Sequence, residues 1–199
     1  MAMKKISEGA EADIYELELL GTKAVMKYRR PKPYLVKDIE ESLRGQRTKT
    51  EARILSKASS LISAPKPLFV AKYAIIMKKL EGIQASKKPS LGKPSATASG
   101  KVMAALHSSG IIHGDFTTAN ILIKSDGISV IDFGLSYYSS SAEDMAFDLL
   151  LFKRSVNEED FHAFERAYKN GFVKSAEVLK KLSEIEKRGR YQDRSLATA

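Results

Sequence analysis

Apolar residues at the start of the chain fall in short, partly alternating stretches. Ile6 to Tyr15, the segment Ile14-Tyr15-Glu16-Leu17-Glu18-Leu19-Leu20, and Ala24-Val25-Met26-Lys27-Tyr28 each read as strand, with Gly21-Thr22 as the turn between the second and third. Pro31 and Pro33 break that pattern. From about Lys37 to Ser60 the chain is polar and helix-prone, with Ile39, Leu43, Ile54 and Leu55 as sparse apolar positions and Pro65 and Pro67 as the stop. Leu68-Phe69-Val70 and Tyr73-Ala74-Ile75-Ile76-Met77 then read as paired strands. Residues 82–95, rich in Gly, Ser, Pro and Lys, mark a boundary. After it come a helix over roughly 95–108, and two short strands at 121–123 and 128–131 joined by Ser125-Asp126-Gly127. From Ala142 onward the pattern is helical. Asn157-Glu158-Glu159-Asp160 is a helix start, with Phe161, Phe164 and Tyr168 at helical spacing and Gly171 as the stop. Ser175 caps a last helix whose stripe is Val178, Leu182 and Ile185, ending at Gly189.

This order predicts an α+β chain of two lobes. A small β-rich N-lobe covers 1–81 and includes the helix with Glu51, a reduced α-helical C-lobe covers 82–186, and a basic C-terminal tail covers 187–199. A nucleotide would sit in the cleft between the halves.

Composition narrows the setting. At 199 residues there is room for one sizeable core or two small lobes. The chain has no Cys, which excludes disulfides and thiolate metal sites. Its apolar runs are far short of a membrane span, and Met1-Ala2-Met3-Lys4-Lys5-Ile6 has no signal-peptide core, so a cytoplasmic protein is expected. The net charge of +9 is unevenly spread: residues 23–57 hold eleven Lys/Arg against four Asp/Glu, whereas residues 102–186 hold eight against thirteen. The stretch Lys187-Arg188-Gly189-Arg190-Tyr191-Gln192-Asp193-Arg194 is basic again. Such a field favours a polyanion such as RNA, while a solvated surface explains the 23–57 stretch as well.

The chemistry concentrates between His113 and Gly134. His113-Gly114-Asp115-Phe116-Thr117-Thr118-Ala119-Asn120 is followed by Ile121-Leu122-Ile123 and then Val130-Ile131-Asp132-Phe133-Gly134. This is the layout of a phosphoryl-transfer site: Asp115 accepts a proton from an attacking hydroxyl, while Asn120 and Asp132 hold Mg²⁺ against nucleotide phosphates. His113 is read as a residue that shapes this loop, and His107 and His162 as ordinary surface or satisfied core residues. Lys27, at the end of a strand, is the fixed cation for the α and β phosphates, and Glu51 in Lys49-Thr50-Glu51-Ala52-Arg53 is its partner. Ser7-Glu8-Gly9-Ala10-Glu11-Ala12 is the turn that would cover the phosphates through Gly9 and Ala10, although it has one glycine where the usual loop has three.

In this order the pieces resemble the protein-kinase fold, and more closely the PRPK-type small kinase subunit of the KEOPS complex. The resemblance rests on five segments: Glu8-Gly9-Ala10-Glu11-Ala12, Tyr28-Arg29-Arg30-Pro31-Lys32-Pro33-Tyr34, Arg47-Thr48-Lys49-Thr50-Glu51-Ala52-Arg53, His113-Gly114-Asp115, and Arg188-Gly189-Arg190. It implies an atypical Ser/Thr kinase that autophosphorylates and binds ATP and Mg²⁺. Within its complex such a protein acts more as an ATPase supporting threonylcarbamoylation of tRNA. It docks on the threonylcarbamoyl-transferase subunit and reaches tRNA through its basic surface and tail. The resemblance also implies a hinge at Met77, Lys78 and Leu80 that holds adenine through backbone groups.

Two departures from ordinary protein kinases matter. No Ala-Pro-Glu and no long activation loop follow Gly134, and glycine replaces the arginine before Asp115. Asp148, in Asp144-Met145-Ala146-Phe147-Asp148, is the expected anchor of the catalytic loop. A small-molecule kinase of the aminoglycoside or choline type also uses His-Gly-Asp, but has a larger helical half than this chain offers. A non-catalytic scaffold is the third reading, and the full set of polar residues speaks against it.

Overall fold

The computed structural model describes residues 3–9, 11–32 and 36–196, with side chains as far as Arg188. By where its contacts fall the chain forms two units, one made of residues 1–82 with 129–136 and the other of 83–128 with 137–199. The short segment 129–136, which carries Asp132-Phe133-Gly134, therefore groups with the first unit rather than with the helical remainder.

The first unit is built on a five-stranded antiparallel sheet in the order β1-β2-β3-β5-β4, from β1 (Lys4–Glu8), β2 (Asp13–Leu19), β3 (Thr22–Tyr28), β4 (Pro67–Val70) and β5 (Ala74–Lys78). Leu19 pairs with Thr22, so the hairpin turn is Leu20-Gly21. Their φ values of 49° and 74° make it the two-residue turn whose twist matches the strands. One helix, α1 (Lys37–Ala58), completes the unit. Its C-terminal half is held by apolar burial of Ala52, Ile54, Leu55 and Ala58. Its N-terminal half is held differently, because Ile39 and Leu43 are exposed. There Arg44 pairs with Glu40 at 3.0 Å, stacks 3.6 Å over the Tyr73 ring, and donates to the Arg29 carbonyl at 3.2 Å. Residues 129 and 130 join this unit through the Ser63–Ser129 hydroxyl pair at 2.7 Å and the Val130 N–H on the Ser63 carbonyl at 2.9 Å.

The second unit contains α2 (Lys93–Ser108), α3 (Ala142–Ser155), α4 (Glu158–Gly171) and α5 (Ser175–Leu196). Its short strands are β6 (Ile83–Gln84), β7 (Ile111–Ile112), β8 (Ile121–Lys124), the start of β9 (Gly127–Val130) and β10 (Tyr137–Tyr138). β6 pairs with β8, and β10 pairs with β7. The core is aromatic: Phe152 stacks on Phe164 at 4.2 Å, and Phe116, Phe161 and Tyr168 extend the cluster. α2 and α4 approach so closely that a Cβ on Gly100 would lie 2.2 Å from the Phe164 carbonyl oxygen, so only glycine fits there. Ser141 caps α3 by accepting from Glu143 and Asp144 N–H, and Asn157 caps α4 by accepting from Asp160 N–H.

Besides the turn, which lies at Leu20-Gly21 and not at Gly21-Thr22, two expectations are corrected. The last helix does not stop at Gly189 but runs to Leu196, its stretch of polar helix formers carrying it past one glycine. Ser175 is the first residue of α5 rather than its cap, and its hydroxyl donates to the Lys169 carbonyl at 3.3 Å. β6, β7 and β10 were not foreseen, because two-residue strands are too short to show a period of two. Among the described residues no helix is long and apolar enough to cross a membrane.

Candidate active site

Lys27 projects from β3 into a buried ionic cluster. Its Nζ donates to Glu51 Oε1 at 2.7 Å and to Asp132 Oδ1 at 2.6 Å. Glu51, buried on α1, also accepts from Arg29 Nη2 at 2.6 Å through its other oxygen, so one carboxylate sits between two cations. Lys27 and Arg29 are two residues apart and share a face of their strand and its extension. Asp132 is half exposed and has φ 62°, a left-handed conformation that Asp tolerates better than most residues. Its Oδ1 also accepts the Gly134 N–H at 3.1 Å. A Cβ on Gly134 would stand 2.8 Å from Lys27 Nζ and 3.0 Å from Asp132 Oδ1, so the absent side chain is what leaves space for that pair.

The first turn closes through the Gly9 N–H on the Ala12 carbonyl at 3.0 Å. Ala10 lies outside the described residues. Arg30 bonds Glu8 at 2.7 Å and the Gly9 carbonyl at 2.8 Å. Glu11 collects Lys32 at 2.6 Å, Arg47 at 2.7 Å and Arg29 at 3.4 Å. The Lys32 ammonium, helped by Arg47, holds the Glu11 carboxyl below the usual glutamate range against the opposing effect of partial burial. At the expected hinge, Met77 is buried opposite Val25. The Lys78 N–H bonds the Lys66 carbonyl at 3.0 Å and the Lys79 N–H bonds the Lys23 carbonyl at 3.1 Å, so those two donors serve the sheet. Leu80 follows directly.

In the second unit Asp115 and Asn120 meet in one loop. Asn120 Nδ2 donates to Asp115 Oδ2 at 2.8 Å and to the Asp115 carbonyl at 2.9 Å. With Nδ2 committed to Asp115, Oδ1 is the atom this amide has for a cation, and the fit to a hard metal such as Mg²⁺ is good. The loop is fastened from α3. Buried Asp148 accepts the His113 N–H at 2.7 Å and the Gly114 N–H at 2.8 Å, one on each oxygen, as the sequence suggested. His107 on α2 reaches Asp148 at 3.4 Å through Nε2 and the Tyr168 hydroxyl on α4 at 2.8 Å through Nδ1. An Nε2–H tautomer satisfies both contacts, with the phenol donating to Nδ1. Burial first, and the Asp148 charge second, raise the Tyr168 pKa, which keeps that phenol a donor. Buried His113 accepts the Asp115 N–H at 3.3 Å and so shapes the loop.

The structure thus unites Lys27, Glu51 and Asp132 in the first unit, and Asp115 with Asn120 in the second. Among the described residues no group of three or more His, Asp or Glu is placed to hold a metal. Sequence reading did not foresee the roles of Arg29, Glu11 and Tyr168. For Arg29 a signal existed, since it follows Lys27 at strand spacing.

This is a kinase-like fold. Residues 12–175 match the RIO domain family. The Rio2 kinase of Chaetomium thermophilum, solved as an ADP/Mg²⁺–phosphoaspartate complex, superposes with a TM-score of 0.67 at 17% identity, covering 96% of this chain and 72% of that one. The macrolide 2'-phosphotransferase MphH of Brachybacterium faecium gives 0.64 at 16% identity, covering 98% and 86%. At such identities these two establish the fold alone.

The chain belongs to the RIO domain family and, within it, to the BUD32 proteins. It is 37% identical to the "EKC/KEOPS complex subunit BUD32" of Enterocytozoon bieneusi, over 94% of this chain and 98% of that protein. It is 34% identical to the "Probable serine/threonine-protein kinase BUD32 homolog" of Archaeoglobus fulgidus, over 96% and 97%. It also matches the "Probable bifunctional tRNA threonylcarbamoyladenosine biosynthesis protein" of Methanosarcina mazei at 37% identity, spanning 35% of that longer protein.

Proposed function

We propose that the chain is the ATP-binding kinase/ATPase subunit of a KEOPS assembly and supports threonylcarbamoyladenosine modification of tRNA. The observation that carries this reading is the match over nearly the full length of a protein named as a KEOPS subunit. Retention of the Lys27–Glu51 and Lys27–Asp132 bonds supports catalysis over a scaffold role.

The residues take these parts. Lys27, oriented by Glu51, binds the α and β phosphates of ATP, and the turn with Gly9 and Ala10 covers them. Backbone groups of Met77, Lys78 and Leu80, other than the Lys78 N–H already used in the sheet, hold adenine. Asn120 Oδ1 and Asp132 would hold Mg²⁺, which would supply charge neutralisation at the phosphates. Asp115 accepts the proton of the attacking oxygen: a water in ATP hydrolysis, or a hydroxyl of the chain itself in autophosphorylation. Asn120 fixes the Asp115 Oδ2 atom and leaves Oδ1 to take that proton. The partners are the threonylcarbamoyl-transferase subunit and tRNA, the latter met by the basic surface and the C-terminal tail, and the place of work is the cytoplasm. The likeness to a macrolide phosphotransferase is one of fold and carries no small-molecule acceptor over to this chain.

The test is Mg²⁺-dependent ATP hydrolysis by the chain alone, and with the partner transferase and tRNA, in wild type and Asp132→Ala. The expected result is turnover that rises with the partners in wild type and is lost in the variant. Equal rates for the two proteins under every condition would overturn the reading.

A further inference from the structure

The basic stretch 23–57, which a solvated surface explains as well as an RNA contact, is largely neutralised in the fold. A cavity of about 240 Å³ in the first unit is lined by Arg29, Arg30, Lys32, Arg44 and Arg47. Each of these five pairs with a carboxylate of Glu8, Glu11, Glu40 or Glu51 at 2.6–3.0 Å. These cations are spent on holding the first turn and α1 together.

A second cavity has the opposite character. It lies along α2 and α4, has a volume of about 360 Å³, and is lined by Lys93, Thr97, Lys101, Arg166 and Asn170 over a floor of Ala163, Ala167 and Gly171. No carboxylate lines it, and among the described residues Lys93, Lys101 and Arg166 take part in no ion pair. Lys93, Thr97 and Lys101 are spaced by four residues, so they share one face of α2. Lys93 and Lys101 are eight residues apart, about 12 Å along the helix axis. That length is enough to span more than one backbone phosphate of a nucleic-acid strand. The floor is made of small residues because α2 and α4 pack at the Gly100 contact, and it offers a peptide only the short side chains of Ala163 and Ala167 to bury against. Thr97 and Asn170 supply neutral donors between the cations.

We propose that this α2–α4 groove is a docking site for the phosphate backbone of RNA, separate from the tail; the inference rests on the tRNA reading above. Cations that are already unpaired lose no internal partner on binding, whereas the five that line the first cavity would have to break ion pairs. The groove contacts phosphates, so it adds affinity without reading sequence.

The test uses the full chain and a folded tRNA transcript, with binding followed by fluorescence anisotropy at increasing salt. The groove variant is Lys93→Ala/Lys101→Ala/Arg166→Ala. A charge-matched control is Lys49→Ala/Arg53→Ala/Lys57→Ala, on the exposed face of α1. We expect the groove variant to lose roughly tenfold in affinity and about two in the slope of log affinity against log salt, and the control to lose less than about twofold. Unchanged nucleotide affinity in both variants shows that the fold is intact. Equal losses in both variants would overturn the site in favour of a general positive field. Loss of binding to polyglutamate with full retention of tRNA binding would overturn it in favour of an acidic protein partner. If the wild-type chain binds tRNA and the groove variant binds it alike, the groove assignment falls alone. If the wild-type chain binds no tRNA at any salt, the tRNA reading falls with it.

Discussion

Lys27 and Asp132, 105 residues apart in sequence, meet at 2.6 Å, and Glu51 holds the same ammonium from another side at 2.7 Å. Replacing Lys27 by Met removes the fixed cation but leaves Glu51 paired with Arg29. ATP turnover should fall by about 10²–10³, the usual loss for a preorganised electrostatic group, and the denaturation midpoint should fall too, since buried Glu51 loses one of its two cations. Steady-state hydrolysis and a denaturant titration on the same sample check both halves.

Arg29→Met should separate stability from nucleotide binding. Arg29 and Glu51 are both buried and bonded, and stripping one partner from a buried ion pair costs about 3 kcal/mol or more. Lys27 remains in place, so the folded fraction should keep much of its ATP affinity. The readout is a lowered denaturation midpoint beside a nucleotide-binding constant within a few-fold of wild type.

Asp148→Asn places an amide where two backbone N–H groups converge. One of them then faces an NH₂ group, at a cost of about 1–3 kcal/mol. The His113–Asp115 loop loosens with it, and turnover should drop at least tenfold with a smaller effect on nucleotide binding. Tyr168→Phe removes a single neutral hydrogen bond to His107 and should cost only about 1 kcal/mol, with activity nearly intact.

Glu11 carries a pH signature. Its carboxyl is held below the ordinary glutamate value of 4.5, chiefly by Lys32. A depressed carboxylate pKa contributes stability above the unfolded value, and that contribution is lost as pH falls through the folded value. Wild type should therefore unfold at a higher denaturant concentration than Glu11→Gln at pH 6, and the gap should close as pH drops below about 4. A gap that stayed constant over that range would refute the clamp.

Gly134→Ala should impair function without unfolding the chain. The new Cβ would press on Lys27 Nζ at 2.8 Å and Asp132 Oδ1 at 3.0 Å, both at the ends of side chains that can move aside. Turnover should fall while the thermal midpoint stays within a few degrees. Gly100 provides the contrast: there the obstacle is backbone at 2.2 Å, and alanine should destabilise the second unit outright.

The residues of the phosphoryl-transfer motif were legible because chemistry fixes their types and spacing: Asp115, Asn120 and Asp132 announce themselves in a local pattern. Asp148 was legible only by its place in the helix that follows the motif, where a surface charge was the alternative reading. The ionic web around Glu11 was not, because its partners at 29, 32 and 47 come from two elements and no periodicity links them. Together with the pairs of Lys23, Lys27, Arg30 and Arg44, this web commits seven of the eleven cations of residues 23–57 to internal ion pairs. The extension of α5 past Gly189 escaped because one glycine is a weak stop within a run of good helix formers.

The hold of Asp148 on His113 and Gly114 means that the shape of the catalytic loop is stored 33 residues downstream of Asp115. Grafting residues 113–120 alone into another scaffold would transplant the reactive groups without the conformation that aims them. A designer borrowing this loop has to carry α3 along with it.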